Sequence, residues 1–207
     1  MDLNSCANFA MIRPEPSTPS EKLVHFLGGF AAAAQLAKRA EDRNHHIEYI
    51  ILAASVIDGL LRMGLILHHQ IETKSCAVPD ELLYQATDDK IVSERQIYRC
   101  AHAAKIIDDA LKNELEDLYS WRNRVVHRYI ISDLTTADVK DVASDYRRAV
   151  SRASHAVYEV ENRQLVLKVG MTRLAGREPA DDLHKWAKAK HGDASLIVKP
   201  DWLDFYR

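Results

Sequence analysis

Apolar residues recur at three- and four-residue spacing along most of this chain, and polar breaks cut that pattern into helices. Thr18-Pro19-Ser20-Glu21 opens the first, with Thr as N-cap, Pro at the first helical position and Glu three after the cap. The pattern carries this helix to about Ala40. Gly28-Gly29 lies inside it, each Gly costing roughly 1 kcal/mol against Ala, so the pair either admits a close neighbour or marks a kink. Asp42 or Asn44 is expected to cap a second helix reaching about Gln70. Its Ile47, Ile50, Ile51, Ala54, Ile57, Leu61, Leu65 and Ile66 follow helical spacing, and the segment is apolar nearly all round, as in a helix packed on several sides.

Residues 72–92 read as a connection with Pro79 and a short helix at 80–85. Ser93 with Gln96 opens a helix through about Ile107, and Asp108 is expected to break it. Leu111, Leu115, Leu118, Trp121, Val125 and Val126 then continue a helical stripe. Thr135 with Asp138 starts the last long helix, running to about Asn162. The run from Leu165 to Val169 reads either as a short strand or as a helix extension. Residues 180–190 read as helical, and an aromatic tail of Trp202, Phe205 and Tyr206 is expected to dock on the body or on a partner. The organisation expected is an arm at 1–17, a helical domain at 18–161 and a C-terminal extension at 162–207.

Composition agrees with a mostly helical globular domain, since 207 residues contain only seven Gly and six Pro. A formal net charge of −2 gives no global basic field, so nucleic-acid binding would need a local patch. Three cysteines, odd in number and without metal-type spacing, fit a reducing cytosol. The N-terminus lacks an apolar run of the secretory kind. Ile47–Leu67 contains Glu48, Asp58 and Arg62, which favours a core helix over a membrane span. The expectation is a cytoplasmic protein with no membrane partner.

Chemistry concentrates in Arg122-Asn123-Arg124-Val125-Val126-His127-Arg128-Tyr129. An always-charged Arg binds phosphate oxygens through parallel donors, and a His near neutrality moves protons. Together they suit metal-independent cleavage of RNA by its own 2′-hydroxyl, leaving a 2′,3′-cyclic phosphate and a 5′-hydroxyl. Arg124 and Arg128 are candidate RNA contacts. At about 100° per residue, Arg122 and His127 lie about 140° apart, whereas Arg122 and Tyr129 share a face. A straight helix therefore favours a cleft that takes residues from two subunits. The plain alternative is an Arg paired with Glu116 or Asp117 and a His interacting with the helix macrodipole.

His45-His46 and His68-His69 lie at opposite ends of one helix, and no metal-binding spacing occurs, so neither a metal nor another cofactor is expected. Arg147, Arg148 and Arg152 either extend a phosphate-binding surface or form a solvated face.

Arg-Asn with a His five positions after the Arg, on the third main helix of an all-helical domain, resembles the HEPN superfamily. The fuller Arg122…His127-x-Tyr129 form looks like the HepT toxins, which occur beside nucleotidyltransferase antitoxins. The resemblance covers residues 20–161. It implies an antiparallel up-and-down four-helix bundle with short extra helices, forming a homodimer whose two motifs line one cleft. It implies a metal-independent endoribonuclease of toxin–antitoxin or antiviral defence acting on RNA. Arg122 would stabilise the phosphate, His127 would be the general acid or base, and Asn123 would orient the site. Tyr129 would match the tyrosine that an antitoxin partner modifies with AMP. Family members carry a polar residue on the second helix facing the Arg; Asp58 is the first candidate and Ser55 the second. Other members are non-catalytic modules that bind nucleotide, RNA or a protein.

Overall fold

The computed structural model describes residues 18–83 and 92–171. The arm at 1–17, the helix expected at 180–190 and the aromatic tail lie outside the described residues. Five α-helices and one 3-10 turn account for the regular structure, with no strand among the described residues: α1 (Pro19–Asp42), α2 (His46–Thr73), the 3-10 turn (Asp80–Leu82), α3 (Glu94–Ala103), α4 (Asp109–Arg128) and α5 (Thr136–Leu167). The fold is all-α.

The helix starts follow their capping chemistry. Thr18 and Glu21 close a reciprocal box, Glu21 N donating to Thr18 Oγ1 at 3.2 Å and Thr18 N to Glu21 Oε2 at 3.0 Å. Thr135 and Asp138 repeat it at α5. Such caps satisfy helix N–H groups that have no partner in the first turn, each contributing about 1 kcal/mol. Ser93 caps α3, and Asp108 Oδ1 accepts from Leu111 N at 2.7 Å, so the expected break at Asp108 is a true helix start.

Other boundaries differ from expectation. Neither Asp42 nor Asn44 caps α2: Asp42 belongs to α1, where Lys38 Nζ pairs with it at 2.7 Å, and Asn44 takes a left-handed φ of 57°. His45 stands at the N-cap without a side-chain cap bond. α3 stops at Ala103, short of Ile107, because Lys105 adopts φ 57° and its N–H turns back to His102 O. Leu165-Val166-Leu167 are the last turn of α5, so the strand alternative falls.

α2 is the centre of the packing and touches α1, α3, α4 and α5. It is the one helix among the described residues long and apolar enough to cross a membrane, but 61% of its most apolar window is buried inside the fold. Its Ile57, Leu60 and Leu61 meet a core that includes Ile97 of α3, Leu115 of α4, and Ala153 and Val157 of α5. That four-sided packing is why α2 is apolar nearly all round.

Gly29 is not where a neighbouring helix comes close. α1 runs unbroken through Gly28 and Gly29, and a Cβ on Gly29 would meet nothing within 4 Å. The close approach is at Gly59 of α2, where a Cβ would stand 2.7 Å from Phe30 Cδ2 of α1. At the other end, buried Gln164 Nε2 donates to Leu67 O at 2.9 Å and Gln70 Oε1 at 3.0 Å. Met171 N donates to the same Gln70 oxygen at 3.0 Å. These bonds tie the C-terminal ends of α2 and α5 together without leaving the two amides unsatisfied.

Candidate functional site around Arg122 and His127

The octapeptide forms the last two turns of α4, with Tyr129 as C-cap. Because the helix is continuous to Arg128, Arg122 and His127 are separated by roughly 140° around the axis and roughly 7.5 Å along it. Their environments differ accordingly. The Arg122 side chain keeps only 18% of its exposure, whereas His127 is exposed and has no hydrogen bond or ion pair among the described residues.

Arg122 is held on three sides. Its Nη1 donates to Glu94 Oε1 at 2.6 Å, reaching across to the first turn of α3. Its Nε and Nη2 both donate to Asn123 Oδ1, at 3.3 and 3.1 Å. Its guanidinium carbon lies 4.9 Å from the centroid of the Tyr119 ring, within cation–π range. Burial works against the charge, and Glu94, with smaller contributions from Tyr146 and Tyr98, more than offsets it, so the Arg122 pKa is raised above its ordinary value. Asn123 thus orients Arg122 directly.

Behind this pair lies a polar seam between helices. Tyr98 of α3 and Tyr146 of α5 are buried, and Tyr146 Oη donates to Leu118 O at 3.0 Å. Burial pushes the Tyr98 hydroxyl far up, as do Glu94, Tyr146 and Asp58, while Arg122 pulls it back. Two carboxylate oxygens in the seam, Asp58 Oδ1 and Glu94 Oε2, are buried without a hydrogen-bond partner among the described residues.

The second-helix candidates do not meet Arg122. Asp58 Oδ2 accepts from Arg62 Nε at 2.6 Å, one turn along the same helix. Burial raises the Asp58 pKa, and Arg62 partly counters it. Arg62 also donates to Leu82 O and Val92 O, at 3.4 and 3.0 Å, holding both backbone positions against α2. Ser55 is exposed and donates to Ile51 O at 3.2 Å, a bond within its own helix. Nor do Glu116 and Asp117 hold Arg122, for Glu116 pairs with Arg95.

The flanking residues sit on the rim. Arg124 lies 4.4 Å over the Trp121 ring and pairs with exposed Asp133 at 3.3 Å. Arg128 is exposed and free of ion pairs among the described residues. Tyr129 is half-buried, and its hydroxyl shares a 3.2 Å hydrogen bond with Thr136 Oγ1. Arg147, Arg148 and Arg152 are each paired with a carboxylate: Glu41, Asp145, and both Glu114 and Asp108 respectively. They form a compensated face, not a bare basic patch.

Chemically, the arrangement offers one preset, largely covered cation and one separate, solvent-facing imidazole. Among the described residues no group of three or more His, Cys, Asp or Glu is placed to hold a metal ion. Sequence reading missed Glu94, Tyr119, Tyr98 and Tyr146. Glu94 reads as an ordinary first-turn acid beside its cap, and only the docking of α3 on α4 reveals its partner. Comparison with family models, with curated proteins and with solved structures finds no match to this chain.

Proposed function

We propose that this chain is a metal-independent endoribonuclease of HEPN type, with α1, α2, α4 and α5 as an up-and-down four-helix bundle and α3 as a short extra helix. Two copies form one cleft, to which Arg122 and His127 contribute from different protomers. The observation that carries the reading is the contrast within α4: a preorganised, half-buried guanidinium and an exposed imidazole on a diverging face. Arg122 stabilises charge on the phosphorane-like transition state, and Asn123 orients it. His127 transfers the proton to or from the ribose oxygens. Arg124 and Arg128 contact flanking RNA phosphates. The setting is a cytoplasmic toxin–antitoxin or antiviral pair, in which a nucleotidyltransferase partner would modify Tyr129. The hydroxyl of Tyr129 suits that role because its one hydrogen-bond partner among the described residues, Thr136, is exposed.

Incubation with RNA in EDTA tests the activity. Wild type is expected to leave 2′,3′-cyclic phosphate and 5′-hydroxyl ends, with His127→Ala and Arg122→Ala inactive. Undiminished cutting by His127→Ala would remove His127 from the reaction. A second reading, a non-catalytic module binding nucleotide, RNA or a protein, is favoured by one specific feature: Arg122 already has a charged partner in Glu94. Nucleotide-dependent thermal stabilisation without any cleavage would select it.

A further inference from the structure

Resting on the reading of Arg122 as the phosphate-binding group, we propose that Glu94 is its built-in counter-ion, so that a phosphodiester enters by exchange and Glu94 sets the affinity of the site. An Arg carries five N–H donors. Three are engaged, one with Glu94 and two with Asn123, and Tyr119 covers one face of the guanidinium. Any phosphate reaching the remaining donors meets the Glu94 carboxylate as an immediate neighbour. In a setting where the two side chains retain 18% and 22% of their exposure, like charges at that range repel strongly.

The pair is also built to open. Glu94 Oε2 is buried without a partner among the described residues, so its carboxylate is only half compensated there. Arg95, the next residue, pairs with Glu116 of α4 and lies 5.6 Å from the same Tyr119 ring. That second bridge keeps the start of α3 docked on α4 when Glu94 leaves Arg122. Asn123 and Tyr119 hold the guanidinium in place for the incoming anion. The exchange therefore moves one carboxylate and no helix.

Binding of a 2′-O-methyl RNA oligonucleotide tests this, because the probe presents phosphodiesters but lacks the nucleophile. In calorimetry with EDTA at fixed ionic strength, Glu94→Gln should bind it roughly tenfold more tightly than wild type, a loss of one adjacent like charge. Asp117→Asn, the same charge change at an exposed position on α4, should give no comparable gain. Adding Arg122→Met to Glu94→Gln should erase the gain. Should Glu94→Gln fail to fold, Glu94→Asp, which keeps the charge but shortens the reach to Nη1, should show a smaller gain in the same direction.

Equal binding by wild type and the Glu94 variant would overturn the proposal, as would a gain that survives loss of Arg122 or is matched by Asp117→Asn. None of these readouts needs catalysis. The full pattern in a chain that never cuts RNA would uphold the counter-ion and sink the ribonuclease reading. Cleavage by wild type with affinity unmoved in Glu94→Gln would do the reverse.

Discussion

Replacing Arg122 by Met and His127 by Ala should separate what holds the fold from what serves chemistry. Met keeps much of the apolar stem of Arg122 but removes its charge. Glu94 is then stranded: Oε1 loses its 2.6 Å partner, and Oε2 already has none among the described residues. Breaking a fully buried pair from one side costs about 3–5 kcal/mol. The residual exposure of 18% and 22% lowers that to about 2–3 kcal/mol, including the lost stacking on Tyr119. For a chain of this size each kcal/mol moves Tm by about 2–4 °C, so Arg122→Met should melt roughly 5–10 °C below wild type. His127 is exposed and makes no hydrogen bond or ion pair among the described residues, so its truncation should cost less than about 0.5 kcal/mol. Glu94→Gln combined with Arg122→Met should cost clearly less than the two single changes added, since each removes the same interaction. Thermal unfolding followed by circular dichroism measures wild type and all four variants. The reasoning fails if Arg122→Met melts with wild type, or if the costs of Glu94→Gln and Arg122→Met simply add.

Three further outcomes follow from the packing. Gly59→Ala should destabilise by about 1–2 kcal/mol in denaturant titration, because its Cβ would lie 2.7 Å from Phe30 Cδ2, and overpacking outweighs the gain in helix propensity. Introducing Phe30→Leu alongside should recover part of the loss. Gln164→Leu should cost about 2 kcal/mol, since it deletes the buried bonds to Leu67 O and Gln70 Oε1; a neutral result would mean that the amide pair is replaceable by apolar packing. Burial raises the Glu161 pKa above its ordinary value. Its ionised form therefore destabilises the fold above that raised pKa, and protonation relieves the penalty as pH falls through it. Glu161→Gln should accordingly melt above wild type near pH 7, with the difference closing toward pH 4; a difference that widens on acidification would contradict the burial argument.

Much of the fold was legible because caps are local. Thr18 with Glu21, Thr135 with Asp138, Ser93 and Asp108 each act on an N–H three residues away, and all four mark helix starts as the spacing predicts. The ends were less legible where a non-glycine residue takes the left-handed conformation. Lys105 ends α3 early and Lys168 ends α5 late, and neither carries the glycine signal of a stop. The same division governs the site. Asp58 and Arg62 stand four apart on one helix, a pairing that spacing already offers as an alternative partner. Glu94 and Arg122 are 28 positions apart, and their meeting depends on how α3 docks on α4. No periodicity within either helix encodes that docking. The divergence of Arg122 and His127, by contrast, follows from helical geometry alone.

The claim that the motif is half of a site is tested most directly by mixing two inactive chains. Arg122→Met and His127→Ala, each dimeric and folded, are unfolded together, refolded and assayed on RNA in EDTA. In a two-fold dimer whose cleft holds two Arg122–His127 pairs, each drawn from both protomers, random pairing restores one intact pair in half of the dimers, or about a quarter of wild-type activity. Recovery near that level is the expected result. Dimers that exchange subunits freely yet stay as inactive as either parent, while wild type cuts, would contradict the composite site.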